Sequence, residues 1–346
     1  MPEQSARSSI SLPPRGGRLA LVFLLTICGS AAAAVPTSDS RWKPYTDFIP
    51  KETTWLLTLQ FNPAVGKATN GDNFFSATVE RRPGFRRLQR QMRDILGIDI
   101  GTQIKRWWMF GATHGPKSGT SILRTSVNTG VIINQLKRHV TSAPDFYDGV
   151  TIYRIAPPAR HRPGPRMGPI FVAVFKPGLI IGSLSEKSLE HSLDCHMGVQ
   201  KHVSTKSQLL QGYTGHEMLY FSLVHVQRAI NQAQNPLMVP PQIRAVKAIH
   251  LAVLSLPKAI KISGYLQMLS AAAAKRSAAR LKELKKMAYR ANSGANATDR
   301  QMAIAGAVFR LKVTATKYRV RLSWRIPYSL LKYLQLGLPA AVFRRK

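Results

Sequence analysis

The chain has 346 residues, 45% of them hydrophobic, so it is long enough to bury the core of one large domain or two ordinary ones. Its 50 Lys and Arg residues outnumber 16 Asp and Glu, which gives a formal charge of +34 and a pI near 11.0. This excess does not constrain the fold. It favours attraction to polyanions such as nucleic acid, anionic lipid, lipopolysaccharide or acidic polysaccharide.

The first 34 residues have the pattern of a removable export signal. Arg15 and Arg18 form a basic region, and residues 19–27 form an apolar core that is too short to span a bilayer as a mature helix. Residues 32–34 are three alanines and supply an A-x-A cleavage site. We therefore expect a protein of the periplasm, the cell envelope or the extracellular medium. A retained N-terminal anchor is the alternative interpretation.

Cleavage of this segment changes what the cysteines can do. The mature chain would begin at Val35, and residues 35–44 are expected to be a flexible lead-in. Cys28 would be removed, which leaves Cys195 as the single thiol. One thiol cannot form an intramolecular disulfide, so stability must come from the core.

Residues 45–156 form the first half of the predicted fold. Strands are predicted at 54–61, 104–110, 120–127 and 150–155. Helices are predicted at 85–95, closed by Gly97, and at 132–140. Residues 157–169 then carry five prolines, so they can form neither a helix nor a central strand. They are either a domain linker or a long exposed loop.

A hairpin and a helix follow this break. Residues 170–175 are a continuous apolar, β-branched and aromatic run, which is typical of a buried strand. Pro177 and Gly178 suit the two central positions of a type II turn, and residues 179–182 return as a second strand. Residues 183–186, Ser-Leu-Ser-Glu, have the form of a capping box, which predicts that a helix begins there.

Residues 170–338 form the second half, and residues 339–346 a basic tail. After the hairpin, strands are predicted at 217–223, 250–256, 259–268 and 318–326, and helices at 224–232 and 270–290. Pro327 is expected at the first position of a last helix. Hairpins outnumber parallel strand–helix–strand units. The predicted fold class is therefore α+β, with a mostly antiparallel sheet, amphipathic helices and two similar halves.

The first strand of the mature chain opens with Pro-Lys-Glu-Thr at residues 50–53. Together with the order of elements over about residues 45–338, this step resembles a family of uncharacterised exported bacterial proteins. The resemblance implies export and an α+β fold. It implies no catalytic residue, cofactor or partner.

Histidine and cysteine spacing suggests one candidate metal site. His191, Cys195 and His196 fall on adjacent turns of a predicted helix, where an i,i+4 pair can supply two ligands. A closed zinc site needs four ligands, and the nearby Glu190 and Asp194 fit better as helix-surface charges. A partly buried cysteine with solvated histidine neighbours is preferred, and no metal or cofactor is predicted.

Enzyme motifs are missing from the sequence, which contains no G-x-S-x-G, H-E-x-x-H or G-x-x-x-x-G-K-[ST] segment. Beyond Cys195 the acids are Glu217, Glu283 and Asp299, which leaves few carboxylates for general acid-base chemistry. No catalytic residue is predicted, although folding can assemble a Ser/His/Asp set from distant residues.

Two segments combine apolar residues with cations. Trp107 and Trp108 follow Arg106, a layout that can stack bases or sugars, but we favour one tryptophan in the core and the other at its rim. The helix at 275–290 carries many cations against Glu283 and has a narrow, alanine-rich apolar stripe. A solvated helix face explains it, because helices that bind anionic surfaces show larger apolar groups.

The segment 317–326 is the strongest candidate binding element. Strict alternation puts one apolar set on one face of a strand: Tyr318, Val320, Leu322, Trp324 and Ile326. The other face carries Lys317, Arg319, Arg321 and Arg325, interrupted only by Ser323. Same-face neighbours lie about 6.5–7 Å apart, so these cations form a linear positive stripe. The stripe either binds a polyanion or protects an edge strand from pairing.

We therefore expect an exported, strongly basic, non-enzymatic protein that binds an anionic envelope component: anionic lipid, lipopolysaccharide or acidic polysaccharide. Nucleic acid is not expected, because export removes that partner. One alternative is a carrier with an apolar cavity lined by the hairpin at 170–182, and another is an enzyme of unrecognised type. High charge as an adaptation to an acidic medium, without a specific ligand, is also compatible with the sequence.

Overall fold

The computed structural model describes residues 43–60, 83–112, 119–156, 168–175, 178–231, 241–256, 259–327 and 329–330. The predicted export signal, the cleavage site, nearly all of the proline-rich segment and the basic tail lie outside these ranges. Within them, no helix combines the length and the apolar character needed to cross a membrane.

The elements up to the middle of the chain agree with the predicted order, with ends that shift by a few residues. They are α1 (Lys43–Thr46), β1 (Trp55–Gln60), α2 (Pro83–Leu96), α3 (Ile100–Gln103), β2 (Ile104–Gly111), β3 (Gly119–Thr125), α4 (Thr129–Lys137), β4 (Asp145–Tyr147), β5 (Val150–Ile155), β6 (Ile170–Phe175), β7 (Leu179–Ser183), α5 (Glu186–His196) and a 3₁₀ turn (Gln208–Leu210). The short elements α1, α3, β4 and the 3₁₀ turn were not predicted. Gly97 ends α2 with a positive φ of 68°, as expected for a helix C-cap glycine.

Three of the remaining elements were not predicted from sequence patterns: α7 (Pro241–Arg244), α9 (Asp299–Phe309) and β11 (Lys312–Thr316). The order is β8 (Leu219–Val224), α6 (Val226–Asn231), α7 (Pro241–Arg244), β9 (Val246–Leu256), β10 (Ala259–Met268), α8 (Ala271–Arg290), α9 (Asp299–Phe309), β11 (Lys312–Thr316) and β12 (Arg319–Pro327). Pro327 was expected to open the last helix. It is instead the last residue of β12, opposite Ala259.

Twelve strands of the described chain form one sheet in the order β11-β12-β10-β9-β8-β1-β2-β3-β7-β6-β5-β4. Neighbouring strands run antiparallel, which confirms the α+β class with an antiparallel sheet. From the central pair β1–β8, each half continues outward through a hairpin, β2–β3 or β9–β10, and then through β7–β6 or β12–β11. The β1–β8 pair, in which Leu57 lies opposite Phe221, therefore divides the sheet into β1–β7 and β8–β12. The hairpin β6–β7, assigned above to the second half, lies between β3 and β5 of the first.

The hairpin β6–β7 is held against β3 by its turn. Gly178 has a φ of +81°, and a Cβ at this position would lie 2.1 Å from the carbonyl oxygen of Thr125. The amide of Thr125 donates to the Gly178 oxygen at 2.7 Å. Glycine is required here for both its conformation and its lack of a side chain. Strands β5 and β6 also pair directly, so the segment at 157–169 joins neighbours in one sheet.

The helix after this hairpin begins two residues later than the capping box predicted. Ser185 caps α5, because its hydroxyl accepts from the amide of Ser188 at 3.4 Å. Ser183 belongs to β7, and its hydroxyl donates to the oxygen of Gly119 at 3.1 Å. The expected capping box is therefore wrong in its cap residue, although the helix itself is present.

Helices and loops cover the two faces of the sheet unequally. On one face, α2 and α4 pack over the first half, and α8 packs over Leu266, Val313 and Val320 of the second half. On the other face, α5 and residues 43–50 cover β2 and β7 around Phe110 and Ile181. Over β10, β11 and β12 this other face carries polar side chains that are half-buried or exposed.

Candidate anion-binding face

Strand β12 lies inside the sheet, between β10 and β11. It is paired on both sides along most of its length, and the sheet ends at β11. Because β11 pairs with residues 319–323, Arg319 and Arg321 do not protect an edge, and that explanation is wrong for them. Beyond Ser323, β12 has no second partner strand among the described residues, so edge protection stays an alternative for Arg325. Its alternation follows the predicted pattern, since Val320 and Ile326 are buried while Arg321 and Arg325 are exposed.

The structure places three of the four predicted binding residues on one surface. Arg319, Arg321 and Arg325 project from β12 on the face opposite α8, where Arg319 is half-buried. Lys317 lies in the turn between β11 and β12 with a positive φ of 40°, so it does not continue the stripe. Tyr318 shares this turn and is exposed, not part of the apolar face.

Neighbouring strands widen the stripe into a surface. Lys261 of β10 lies directly opposite Arg325, and Lys312 of β11 lies opposite Ser323. Directly opposed residues in an antiparallel pair have Cβ atoms about 4.5–5.5 Å apart on the same face. We call this surface the basic sheet face, and it consists of Lys261, Lys312, Arg319, Arg321 and Arg325.

The basic sheet face has no acidic residue among its strands. The sequences of β9, β10, β11 and β12 contain no Asp or Glu, and residues 218–346 contain two acids, Glu283 and Asp299. Among the described residues, no ion pair joins a cation of this face to a carboxylate. Hydroxyl groups of Ser263, Ser323 and Thr314 lie between the cations instead. The face is therefore positive and rich in hydrogen-bond donors.

Arg319 is positioned by an aromatic side chain. Its guanidinium carbon lies 5.0 Å from the ring centre of Tyr265, and the Tyr265 hydroxyl donates to Gln211 Oε1 at 2.8 Å. Burial raises the pKa of Tyr265 to about 12, against an opposing effect of Arg319, so the hydroxyl stays protonated at neutral pH. Stacking on one ring face leaves the edge of the guanidinium free for bidentate contacts with an anion.

A buried histidine lies behind this pair. The His250 ring stacks on Tyr265 at 4.4 Å, and its Nδ1 lies 3.1 Å from Ser222 Oγ and 3.2 Å from the Tyr220 hydroxyl. Burial, and then the charge of Arg319, lower the pKa of His250 to about 4. Ser222 and His250 are in contact, but both side chains are buried. Their contact is therefore part of the packing of the protein interior.

The candidate metal ligands point to separate partners. His191 Nε2 lies 3.1 Å from Glu52 Oε1, and the His196 ring stacks on Phe48 at 3.9 Å. Cys195 is a buried free thiol directed at a backbone carbonyl, and burial raises its pKa to about 12. No three His, Cys, Asp or Glu side chains of the described residues are placed to hold a metal ion.

The two tryptophans of β2 divide as predicted. Trp108 is fully buried against Tyr45 and Tyr213, with ring centroids 5.3 and 5.5 Å away. Trp107 projects to the other face and is half-buried beside the α2–α4 layer. Both rings pack against other side chains, which confirms the interpretation that one tryptophan lies in the core and the other at its rim.

Two other expectations concern the hairpin at 170–182 and the helix at 275–290. The hairpin at 170–182 fills the core on both faces, with Val172 and Ile180 on one side and Phe171 and Ile181 on the other. The helix at 275–290 was expected to lack large apolar groups beyond its narrow stripe. That expectation is wrong, because α8 exposes three of them: Leu284, Met287 and Tyr289.

Sequence reasoning missed Lys261 and Lys312. A signal for Lys261 existed, because Lys261, Ser263, Tyr265 and Gln267 alternate with apolar residues along β10. Alternation along β10 does not show which strand lies next to it in the sheet. Only the register of β10 with β12 brings Lys261 to Arg325.

Comparisons with known proteins find similar solved structures but no matching family. No family model matches the chain, and no curated protein matches it. Solved structures of TP0453 in crystal forms III, IV and I are similar at 10% identity, with TM-scores of 0.46, 0.46 and 0.41. The matches cover 84% of this chain and 97%, 96% and 96% of TP0453. A likeness of this degree is consistent with an uncharacterised family and defines no function.

Proposed function

We propose that this protein binds an extended polyanion of the cell envelope through the basic sheet face. The observation that carries the proposal is the Lys261–Arg325 pair, two exposed cations opposite each other on neighbouring strands. Like charges in this arrangement destabilise a sheet. A phosphate, sulfate or carboxylate group bound between them would remove that cost.

The dimensions of the face suit an extended ligand. Six residue steps from Arg319 to Arg325 span about 20 Å along β12. Strands β10 and β11 flank β12 at about 4.8 Å on each side, so the cations occupy a band rather than a point. Lipopolysaccharide and acidic polysaccharide present charges over such lengths. Anionic lipid is the third candidate, and competition experiments separate it from the other two.

The arrangement of Arg319 adds to the support. Its guanidinium is already held on Tyr265, which is itself held by Gln211, so less side-chain freedom is lost when an anion binds. Arginine forms paired hydrogen bonds with carboxylate and phosphate groups, which lysine does not.

A charge-reversal variant tests the proposal. In the full chain, Arg319→Glu, Arg321→Glu and Arg325→Glu together should weaken binding to immobilised heparin at least tenfold and flatten its salt dependence. The fold should persist, because the buried Val320 and Ile326 are unchanged. Circular dichroism and thermal unfolding check this point.

A matched control separates the face from overall charge. Lys137→Glu, Lys187→Glu and Lys206→Glu change the net charge by the same amount at exposed positions of other elements. If both variants lose binding equally, overall charge is sufficient and the proposal is wrong. Competition with soluble acidic polysaccharide, lipopolysaccharide and phosphatidylglycerol vesicles then identifies the class of ligand.

Export is part of the same proposal. The basic region, short apolar core and A-x-A site support cleavage before Val35. Intact mass of the protein recovered from envelope and medium fractions measures the N-terminus. A chain that keeps residues 1–34 in those fractions would contradict this part of the proposal.

A further inference from the structure

The helix pair α8–α9 exposes a group of large apolar side chains. Its members are Leu284, Met287 and Tyr289 of α8 and Met302 and Phe309 of α9, each between 40% and 67% exposed. Single exposed apolar residues are normal on a protein surface, but a group on two adjacent elements indicates a contact surface. We call this group the α8–α9 surface.

These side chains are exposed because α8 packs on the sheet over only part of its length. Ala273, Ala274 and Ala278 are buried against the sheet, whereas residues 279–290 include no fully buried side chain. Here α8 packs against α9, and the rings of Tyr289 and Phe309 lie 5.9 Å apart.

Lys285 joins α8 to the connection between α9 and β11: its Nζ donates to the oxygen of Leu311 at 2.7 Å and lies 5.4 Å from the Phe309 ring centre. This contact holds the end of α9 against α8.

Cations surround the apolar group. Exposed basic side chains of α8 and the end of α9 are Arg280, Lys282, Lys286, Arg290 and Arg310. Glu283 is the single acid of α8, and it pairs with Lys286 at 3.2 Å. A second copy of this chain would bring the same positive charge to the surface. A partner with negative charge above an apolar layer is complementary to it.

We infer that the α8–α9 surface docks onto a bilayer that contains anionic lipid. The rings of Tyr289 and Phe309, which contact each other across the helix pair, enter the interfacial region, while the cations contact lipid headgroups. Apolar burial and electrostatic attraction then add to each other, which is the known requirement for interfacial helices.

This site is separate from the basic sheet face. The packed side of α8 contacts the sheet face that carries Val320, while Arg321 and Arg325 project from the opposite face. A protein docked on lipid through α8–α9 would therefore keep the basic sheet face free for a polyanion. Substitutions at one site can therefore abolish its binding without affecting the other site.

Vesicle binding of the full chain tests the inference. Tyr289→Ser and Phe309→Ser together change no charge, so they remove the apolar contact surface of this aromatic pair. Affinity for vesicles of phosphatidylglycerol and phosphatidylcholine, measured by co-sedimentation, should fall at least tenfold. Heparin binding should stay within twofold, and pure phosphatidylcholine vesicles should bind weakly in every case.

The control substitutes exposed apolar residues elsewhere: Val131→Ser, Phe146→Ser and Val199→Ser. It should leave vesicle binding unchanged. Equal loss in both variants, or full binding by the α8–α9 variant, would overturn the inference. So would self-association of the wild type that the α8–α9 substitutions abolish in the absence of lipid, because the occupant would then be a second copy.

Discussion

Lys261 of β10 and Arg325 of β12 lie directly opposite each other, both exposed on the same face of the sheet. β11 pairs with residues 319–323 of β12, so among the described strands the outer side of β12 at Arg325 has no partner, and edge protection also fits this residue. A sheet that keeps two like charges in register gives up stability at that point. Because a bound anion would remove this repulsion, the arrangement favours binding of a negatively charged partner.

Replacing Lys261 should therefore stabilise the free protein and weaken its binding. Lys261→Gln is expected to raise the free energy of unfolding by about 0.5 kcal/mol at low salt, because it removes repulsion with Arg325. The gain should disappear at high salt, where the charges are screened. Urea unfolding at two salt concentrations measures it, and heparin affinity should fall in parallel.

Lys137→Gln is the matched control, since Lys137 lies in the last turn of α4, where a cation is favourable. It should lower stability slightly. A stabilisation of both variants, or of neither, would show that the Lys261–Arg325 repulsion has no measurable effect.

Tyr265 should affect binding through its ring and stability through its hydroxyl. Tyr265→Phe keeps the ring beside Arg319 but loses the bond to Gln211, which should cost about 1 kcal/mol. Tyr265→Leu also removes the ring, so it should weaken heparin binding more than Tyr265→Phe does. Chemical unfolding and binding isotherms of the two variants give the comparison. Equal affinities would mean that the ring does not position Arg319.

Local patterns predicted most elements, because alternation and turn residues are properties of short segments. The hairpin β6–β7 follows from an apolar run and the requirement for Gly178 at its turn. The helix α9 escaped prediction because its interior is apolar on several sides and contains Gly306. Strand order depends on pairing between distant residues, such as Ser263 with Ser323, and no local pattern contains it.

The candidate site shows the same division. The alternation of β12 predicted Arg319, Arg321 and Arg325, and it failed at Lys317, where a turn with positive φ replaces the strand. Lys261 was predicted to lie on a strand, but its position opposite Arg325 depends on which strands become neighbours. The same limit made all of β12 look like an edge, although β11 pairs with residues 319–323.

Gly178 should be intolerant of even one added carbon. Gly178→Ala places a Cβ 2.1 Å from the Thr125 oxygen and forces alanine to a φ of +81°, so we expect a loss of about 3 kcal/mol or more. Gly198→Ala is the control, because Gly198 has a φ of +80° with no atom within 4 Å. It should lose about 1–2 kcal/mol from backbone strain alone. Equal losses in thermal or urea unfolding would show that β3 yields to the new side chain.

His250 should make the protein less stable in mild acid. Its pKa in the folded state is lowered to about 4 by burial and by Arg319, while in the unfolded chain it is near 6.5. The unfolded state therefore takes up the proton first as pH falls. The stability contribution is complete above pH 6.5 and is lost as pH falls toward 4, by up to about 3 kcal/mol.

His250→Gln should reduce this dependence, because glutamine does not titrate. The side chains around His250 agree with a neutral ring: Nδ1 faces the hydroxyls of Tyr220 and Ser222, and Arg319 and Tyr265 supply no negative charge. Carboxylates and His196, whose pKa burial also lowers, titrate in both proteins and cancel in the difference. Unfolding free energies from urea titrations between pH 7 and 4 should therefore fall more steeply for the wild type. The exposed His216→Gln should follow the wild type, and parallel curves for the wild type and His250→Gln would mean that His250 accepts a proton in the folded protein as readily as in the unfolded chain.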